Sequence, residues 1–533
     1  MDTAQNDCVS TVPVVTRASM PSKSLPPTVT RAAAWLRDPP RGLEIALWLV
    51  FAAVVIGIRV YLWHLLPAYF WSDDGNSYAH AAFYWLDKGE MIFDGRRGPT
   101  YTLLIAVALK VFGAVKGVIW LQHGLDALAI LGIVGVARWW CGRIAVIPLF
   151  VCGIALAIYG LPLHLGHLIR NETLLFVFSA IAFSAWALAL KSDRLIWFFV
   201  AALATALLAM TKNVFVAFPP VLALGVFVYA KSGWLPRLLR LAIIVAGLVL
   251  PSVALKIHNA TSRHVAEPEP QAGVLFFGRT GQWTKLDGGI EPELKEVIRQ
   301  DIEDYRRLPK LDNNILLKRT AVPHLWQALQ ARGESLTDLD RLCRRFAVEA
   351  VRDQPQAFAR QVWSDLVQLH LRAGVKNEFP SDKQVIDARK SLRELQRQRD
   401  LHPAMEADAM DAILAARIEG DPFRLFHYCL NRAWLFQGFP VLFTTCALPV
   451  MLIFTRGRTR FFFLGVAAVW FSNMLLLSTV GRPLERYLMP LVPLMFWTLS
   501  GIFILAWSAL LRAAGGLTSP APSPTTGALQ ESQ

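Results

Sequence analysis

Two adjacent carboxylates, Asp73 and Asp74, follow the first long apolar run of the chain, within Trp71-Ser72-Asp73-Asp74-Gly75-Asn76-Ser77-Tyr78. Ionisable groups beside a bilayer are costly to keep there and are usually functional. A carboxylate so placed can take a proton from a hydroxyl or an amine. The same residues also suit a helix start, because Ser72 or Asp73 can cap it and acids favour its positive end. The two roles are compatible.

Three further segments set acids or cations at the ends of apolar runs. Arg170-Asn171-Glu172-Thr173 places Glu172 at the mouth of an apolar helix, either as a cap acid or as a second acid of the same cavity. In the turn Thr211-Lys212-Asn213, Lys212 is either a snorkelling lysine or a point charge for a phosphate. Gly481-Arg482-Pro483-Leu484-Glu485-Arg486-Tyr487 precedes the last apolar run. There Arg486 can pair with Glu485, or join Arg482 in offering the planar fork that suits phosphate. Acids that deprotonate an acceptor, beside cations that hold a phosphate leaving group, amount to group transfer from a phosphate-linked lipid. Such a donor needs no nucleotide. A Walker A motif is absent, which excludes an ATP-driven pump of that type. No dense set of acids is visible, so neither a divalent metal nor another cofactor is expected.

These residues need a membrane scaffold. The 533-residue chain is 54% hydrophobic and only 18% charged, with mean hydropathy +0.39, which predicts an all-α polytopic membrane protein. Its formal charge of +14 sits mostly in short clusters between apolar runs, so nucleic acid is not an expected partner and membrane lipids are. About ten runs are long enough to cross or nearly cross: 43–63, 118–137, 144–160, 173–190, 195–211, 214–230, 238–257, 434–454, 461–479 and 488–512. The apolar segment 99–115, with Lys110, is expected to lie at the interface.

With a cytoplasmic N-terminus, the short inner loops carry ten basic residues: Arg138, Arg143, Lys191, Arg194, Lys231, Arg237, Arg240, Arg456, Arg458 and Arg460. The opposing short loops carry four, Arg170, Lys212, Arg482 and Arg486. This asymmetry orients the chain in a cytoplasmic (inner) membrane with Asp73, Asp74 and residues 258–432 outside.

The expected organisation is a disordered tail 1–42, a membrane module 43–257 with a first outer loop 64–117, an outer domain 258–432, membrane helices 433–512 and a disordered tail 513–533. No cleavable signal is visible, so the first run is expected to anchor the chain. Within the outer domain, 338–373 reads as an amphipathic helix through Leu342, Phe346, Val348, Phe358, Val362, Trp363 and Leu366. Val274-Leu275-Phe276-Phe277-Gly278 reads as a strand or a buried loop. None of the six cysteines forms a CxxC pair, and Cys343 and Cys429 are expected to be free thiols.

In order and in sidedness these segments resemble the GT-C membrane glycosyltransferases, in particular the branch of the protein O-mannosyltransferases and the bacterial lipid A aminoarabinose transferases. The resemblance rests on Asp73-Asp74 with Tyr78, on the Gly-Pro opening of an apolar helix in Arg97-Gly98-Pro99-Thr100-Tyr101, and on the turn Ala209-Met210-Thr211-Lys212. The fourth piece is Glu485-Arg486-Tyr487-Leu488-Met489-Pro490 before the last run. It covers the first six runs and the last, and leaves 258–432 undiagnosed.

It implies a GT-C-like fold, a polyprenyl-phosphate sugar donor, an envelope lipid, glycan or protein acceptor, and inverting transfer. Asp73 is then the base and Asp74 and Glu172 supporting acids. Lys212, Arg482 and Arg486 meet the donor phosphate, and Tyr78, Arg97, Arg170 and Tyr487 line the substrate cavity. The family often has Asp-Glu where this chain has Asp73-Asp74, so both members are candidates. Other classes are a transporter or flippase of a lipid-linked or anionic solute, and an assembly scaffold. A transporter predicts mid-membrane ionisable groups and repeated halves; the charges read here lie at outer mouths, and no repeat is visible.

Overall fold

The computed structural model describes residues 35–65, 73–89, 98–114, 116–212, 215, 217–229, 233–261, 272–307, 314–372, 439–479 and 485–514, and no strand occurs among them. In hydrocarbon the backbone must satisfy its own polar groups, and a helix does so within one segment. Each of the ten apolar runs accordingly contains a helix. The first part of the chain gives α1 (Arg41–Leu65), α2 (Asp73–Lys88), α3 (Pro99–Phe112), α4 (Lys116–Cys141), α5 (Val146–Ala157) and α6 (Gly160–Leu165). These are followed by α7 (Glu172–Ser192), α8 (Leu195–Thr211), α9 (Phe218–Tyr229) and α10 (Trp234–Thr261). Towards the end of the chain come α18 (Phe439–Phe454), α19 (Gly457–Thr479), a 3₁₀ turn Glu485–Leu491 and α20 (Val492–Ala514). Among the described residues, six helices, α1, α4, α7, α10, α19 and α20, have the length and apolarity to cross a membrane, and α3, α5, α8, α9 and α18 are shorter apolar helices.

The core of the bundle is built around α7, which is buried on nearly every face. Trp186 of α7 packs between Phe183, Phe218, Phe461 and Phe462. A Cβ at Gly465 would fall 2.1 Å from the Trp186 ring, so α19 can approach only because that position carries no side chain. Ser179 of α7 donates to the Pro490 carbonyl at 2.6 Å and ties the 3₁₀ turn to the core. At the end remote from Asp73, Arg138 bonds Glu44, Lys191 bonds the carbonyls of Trp139 and Trp140, Arg458 bonds the Lys191 carbonyl, and Arg240 bonds Asp193. The loop cations thus stitch that end together.

One expectation needs correction. The charges do not all lie at the mouths of the runs: Arg59 of α1 and Asp126 of α4 form a buried ion pair inside two helices long enough to cross. Arg59 Nε donates to Asp126 Oδ2 at 2.9 Å and Arg59 Nη1 to the Val55 carbonyl at 2.8 Å. Two opposite charges bonded to each other escape most of the penalty that a lone one would meet in hydrocarbon.

The described residues between α10 and α18 form α11 (Ala272–Thr280), α12 (Pro292–Val297), α13 (Arg299–Arg307), α14 (Asn314–Arg319), α15 (Ala321–Ala331), α16 (Leu336–Asp353) and α17 (Pro355–Arg372). The segment Val274–Gly278 is helical, not a strand or loop. Its helix start is held by Asp340, whose Oδ1 accepts from the Gly273 and Val274 amides at 2.6 and 3.2 Å. A distant carboxylate does the capping, so no local cap signals the helix. The single helix expected over 338–373 is two. Pro355 has no N–H and biases Gln354 away from the helical region, and the chain breaks there. Val348 and Trp363 are exposed, while Leu342, Cys343 and Phe346 lie in the apolar cluster that these helices share. Cys343 is a buried free thiol, and Cys429 lies outside the described residues. Helix α17 leaves this domain to pack on α18 and α19. His370 bonds Thr445 at 2.9 Å, and Thr445 also accepts from Trp470 at 3.0 Å.

Candidate active site

Helix α3 starts where it does because Pro99 pre-sets the first helical turn and needs no hydrogen-bond partner there. Gly98 precedes it for a steric reason. A Cβ on Gly98 would lie 1.8 Å from the Met210 carbonyl, so the α3 start rests directly on the end of α8. Gly75, in the first turn of α2, is similarly close to the chain after α6, with a Cβ there only 2.9 Å from the Ile169 carbonyl. Two glycines thereby bring the Asp73 helix and the Gly-Pro helix against the segments that carry Glu172 and Lys212.

Hydrogen bonds then lock the contact. Asn171 Nδ2 donates to the Thr211 carbonyl at 3.0 Å. Thr211 and Thr100 hydroxyls lie 2.6 Å apart, and because Thr211 spends its own hydrogen on the Leu207 carbonyl, Thr100 is the donor between them. The next residue of α3, Tyr101, is fully buried, stands edge-on to Tyr78 at 4.9 Å between ring centroids, and donates its hydroxyl to Gln122 Oε1. Gln122 in turn gives both amide hydrogens to the carbonyls of Gly166 and Leu168, at 2.8 and 3.0 Å. Glu172 and Arg170 lie within electrostatic reach of the Tyr101 hydroxyl. Glu172 is 3% exposed at the first turn of α7, where the helix amides favour its negative charge.

Lys212 follows directly. It ends α8 in extended conformation, and its ammonium sits over the Tyr487 ring, 3.7 Å from the centroid. The ring quadrupole attracts the cation and fixes a side chain that would otherwise sample many rotamers. The chain beyond is strained: Phe215 has φ of 63°, and Asn473 of α19 accepts from its amide at 3.2 Å. A bulky residue in that region persists only where its surroundings determine it, and such strain clusters at functional sites.

The structure thus gathers Tyr78, Arg170, Glu172, Lys212 and Tyr487 at one end of the bundle, with the backbone of Asp73 and Asp74 at the start of α2 and of Arg486 in the 3₁₀ turn. Arg97 and Arg482, and the side chains of Asp73, Asp74 and Arg486, lie outside the described residues. Sequence reading passed over Gln122 and the pair His123 and His167, buried with Nε2 and Nδ1 2.7 Å apart. The signal was present: Gln122, His123 and Asp126 interrupt an otherwise apolar run. No group of three or more acids, histidines and cysteines converges as a metal site among the described residues.

No protein-family model matches the chain, and no curated protein sequence does. Its fold is similar to that of ArnT from Cupriavidus metallidurans bound to undecaprenyl phosphate, with 15% identity and TM-score 0.33 over 86% of this chain and 78% of that one. The apo state of the same ArnT gives 15% identity and TM-score 0.30 over 85% and 78%. The oligosaccharyltransferase of Archaeoglobus fulgidus gives 12% identity and TM-score 0.39 over 89% of this chain and 54% of that one, so the chain spans about half of that protein. These likenesses concern the course of the chain and assign no residue a role.

Proposed function

We propose that the protein transfers a sugar from a polyprenyl-phosphate-linked donor to an envelope lipid, glycan or protein on the outer side of the cytoplasmic membrane. The observation that supports this most is the meeting of four segments distant in the chain, 73–78, 98–101, 170–172 and 211–212, with Tyr487 at one end of the bundle. Asp73 accepts the acceptor's proton as its oxygen or nitrogen bonds to the anomeric carbon. The bond from that carbon to the phosphate oxygen breaks, and the polyprenyl phosphate leaves with the electron pair. Attack opposite the leaving group inverts the centre. Asp74 and Glu172 orient the acceptor, and Lys212, Arg482 and Arg486 stabilise the phosphate. The reading involves no metal or other cofactor.

The test is release of polyprenyl phosphate and glycosylated product by the purified protein in proteoliposomes. A charge-assisted contact to phosphate contributes roughly 1.5–3 kcal/mol. Lys212→Ala should therefore weaken donor use about tenfold or more, since about 1.4 kcal/mol is a decade. Tyr487→Phe keeps the ring under the ammonium and should stay near wild type, whereas Tyr487→Leu should move towards Lys212→Ala. Equal donor use in Lys212→Ala and wild type would leave Lys212 a surface lysine.

The side of the membrane is tested with an impermeant maleimide on intact cells. A cysteine at Asp287, whose side chain is 86% exposed, should label from outside. Cys343 should not: burial, aided by Asp340, pushes its thiol up to about 12, and the thiolate is the reactive form. Labelling at Asp287 only after the cells are opened would reverse the orientation.

A second reading, a transporter of a lipid-linked or anionic solute, draws on Arg59–Asp126 and His123–His167, which are ionisable groups inside the bundle. The same vesicles separate the two readings, because a transporter moves the intact donor across without releasing polyprenyl phosphate.

A further inference from the structure

We infer that Gln122 is a positioning residue for this site, and that it works by closing a ring of hydrogen bonds around the acid and the phosphate-binding lysine. The inference rests on the transferase reading and deepens it. The ring can be followed residue by residue. From Tyr101 it passes to Gln122, and from Gln122 to the carbonyls of Gly166 and Leu168. The chain carries it on to Asn171, which bonds the Thr211 carbonyl. Thr211 meets Thr100, and Thr100 adjoins Tyr101. Arg170 lies on this circuit, and Glu172 and Lys212 are each one residue off it.

Four helices supply the links, α3, α4, α7 through its preceding loop, and α8. Removing one link therefore loosens all of them. Gln122 is the member that no neighbour can replace. It is fully buried, and both of its amide hydrogens and its oxygen are engaged. The Gly166 carbonyl takes its hydrogen bond from Gln122, while the Leu168 carbonyl also accepts from the Arg170 amide at 2.8 Å, and a buried carbonyl that loses its donor pulls the loop towards another partner. The α2 start follows that loop, because Gly75 lies against the Ile169 carbonyl. Loosening at Gln122 would thus reach the base candidate, the acid and the lysine together.

The experiment uses full-length protein in proteoliposomes with a polyprenyl-phosphate sugar, and reads turnover and thermal stability side by side. Displacing reacting groups by about an ångström costs up to about a hundredfold in rate, so Gln122→Leu should lose roughly tenfold to a hundredfold in kcat. Tyr101→Phe opens the same ring at the next link and should lose less. The double variant should match Gln122→Leu alone, because a ring already open cannot be opened again. Ile133→Ala, a core change further along α4, serves as a control of comparable destabilisation.

Independent, multiplying losses for Tyr101→Phe and Gln122→Leu would overturn the ring. So would an Ile133→Ala variant that loses as much rate at the same melting temperature, since Gln122 would then act only through stability. If wild type transfers nothing, the transferase reading fails and this role falls with it. If wild type transfers and Gln122→Leu keeps most of its rate, only the role of Gln122 fails.

Discussion

Asp73→Asn should abolish transfer while leaving expression and donor binding intact. A hydroxyl is a poor nucleophile until its proton is taken, and a positioned base contributes about 10²- to 10⁴-fold. Asp73 is the first residue of α2, and α2 is seated by Gly75 on the segment that leads to Glu172. Asparagine keeps the size of the side chain and its capacity to cap a helix, but it cannot accept a proton at working pH. The measurement is product formed per mole of protein in vesicles, with bound polyprenyl phosphate determined in parallel. Asp74→Asn should impair the reaction less, through positioning, and Glu172→Gln less again. A dead Asp74→Asn beside an active Asp73→Asn would move the base to the second member of the pair. Normal turnover in both would remove the transferase reading and advance the transporter.

The largest effect on stability is expected at Asp365. Its carboxylate and the Arg279 guanidinium are 2% and 1% exposed, and they join α17 to α11. Gln361 donates to the second carboxylate oxygen at 3.1 Å. Removing one partner of a buried pair leaves the other charged in a place it cannot be solvated, at a cost of about 3–5 kcal/mol. Asp365→Asn should lower the melting temperature of the detergent-solubilised protein by several degrees. Because α17 also packs on α18 and α19 and bonds Thr445 through His370, the loss should reach the membrane bundle. Asp365→Leu combined with Arg279→Met removes both charges and should regain much of the difference. A double variant no more stable than Asp365→Asn would mean that the pair contributes through shape and not through charge.

What could be read in the sequence follows from the range of the forces involved. The membrane helices were legible because an apolar run needs no partner to declare itself. The segments at 73–78, 170–172 and 211–212 were legible because charge at the end of such a run breaks a simple rule. Their meeting was not, since it depends on Gly75 and Gly98 lying on carbonyls far away in the chain. Gln122 stands out in the sequence as a polar break in an apolar run, but its role comes from the carbonyls it faces, which only the fold supplies. At Val274–Gly278 local pattern misled, because the cap of that helix comes from Asp340. The break at Pro355 is written in the sequence, and apolar spacing that continues across the proline conceals it.

The pair Arg59–Asp126 also bears on how the chain is built. Sixty-seven residues separate the two, so α1 is made and offered to the bilayer before its counter-ion has been synthesised. An unaccompanied arginine near a helix centre opposes insertion by about 2.5–3.5 kcal/mol. Arg59 sits six positions before the last residue of α1, close enough for its long side chain to reach towards the lipid headgroups in the interval. Apolar helices surrounded by lipid have little reason to prefer one another. When α4 arrives with Asp126, the waiting charge gives α1 a specific partner that apolar packing alone would not single out.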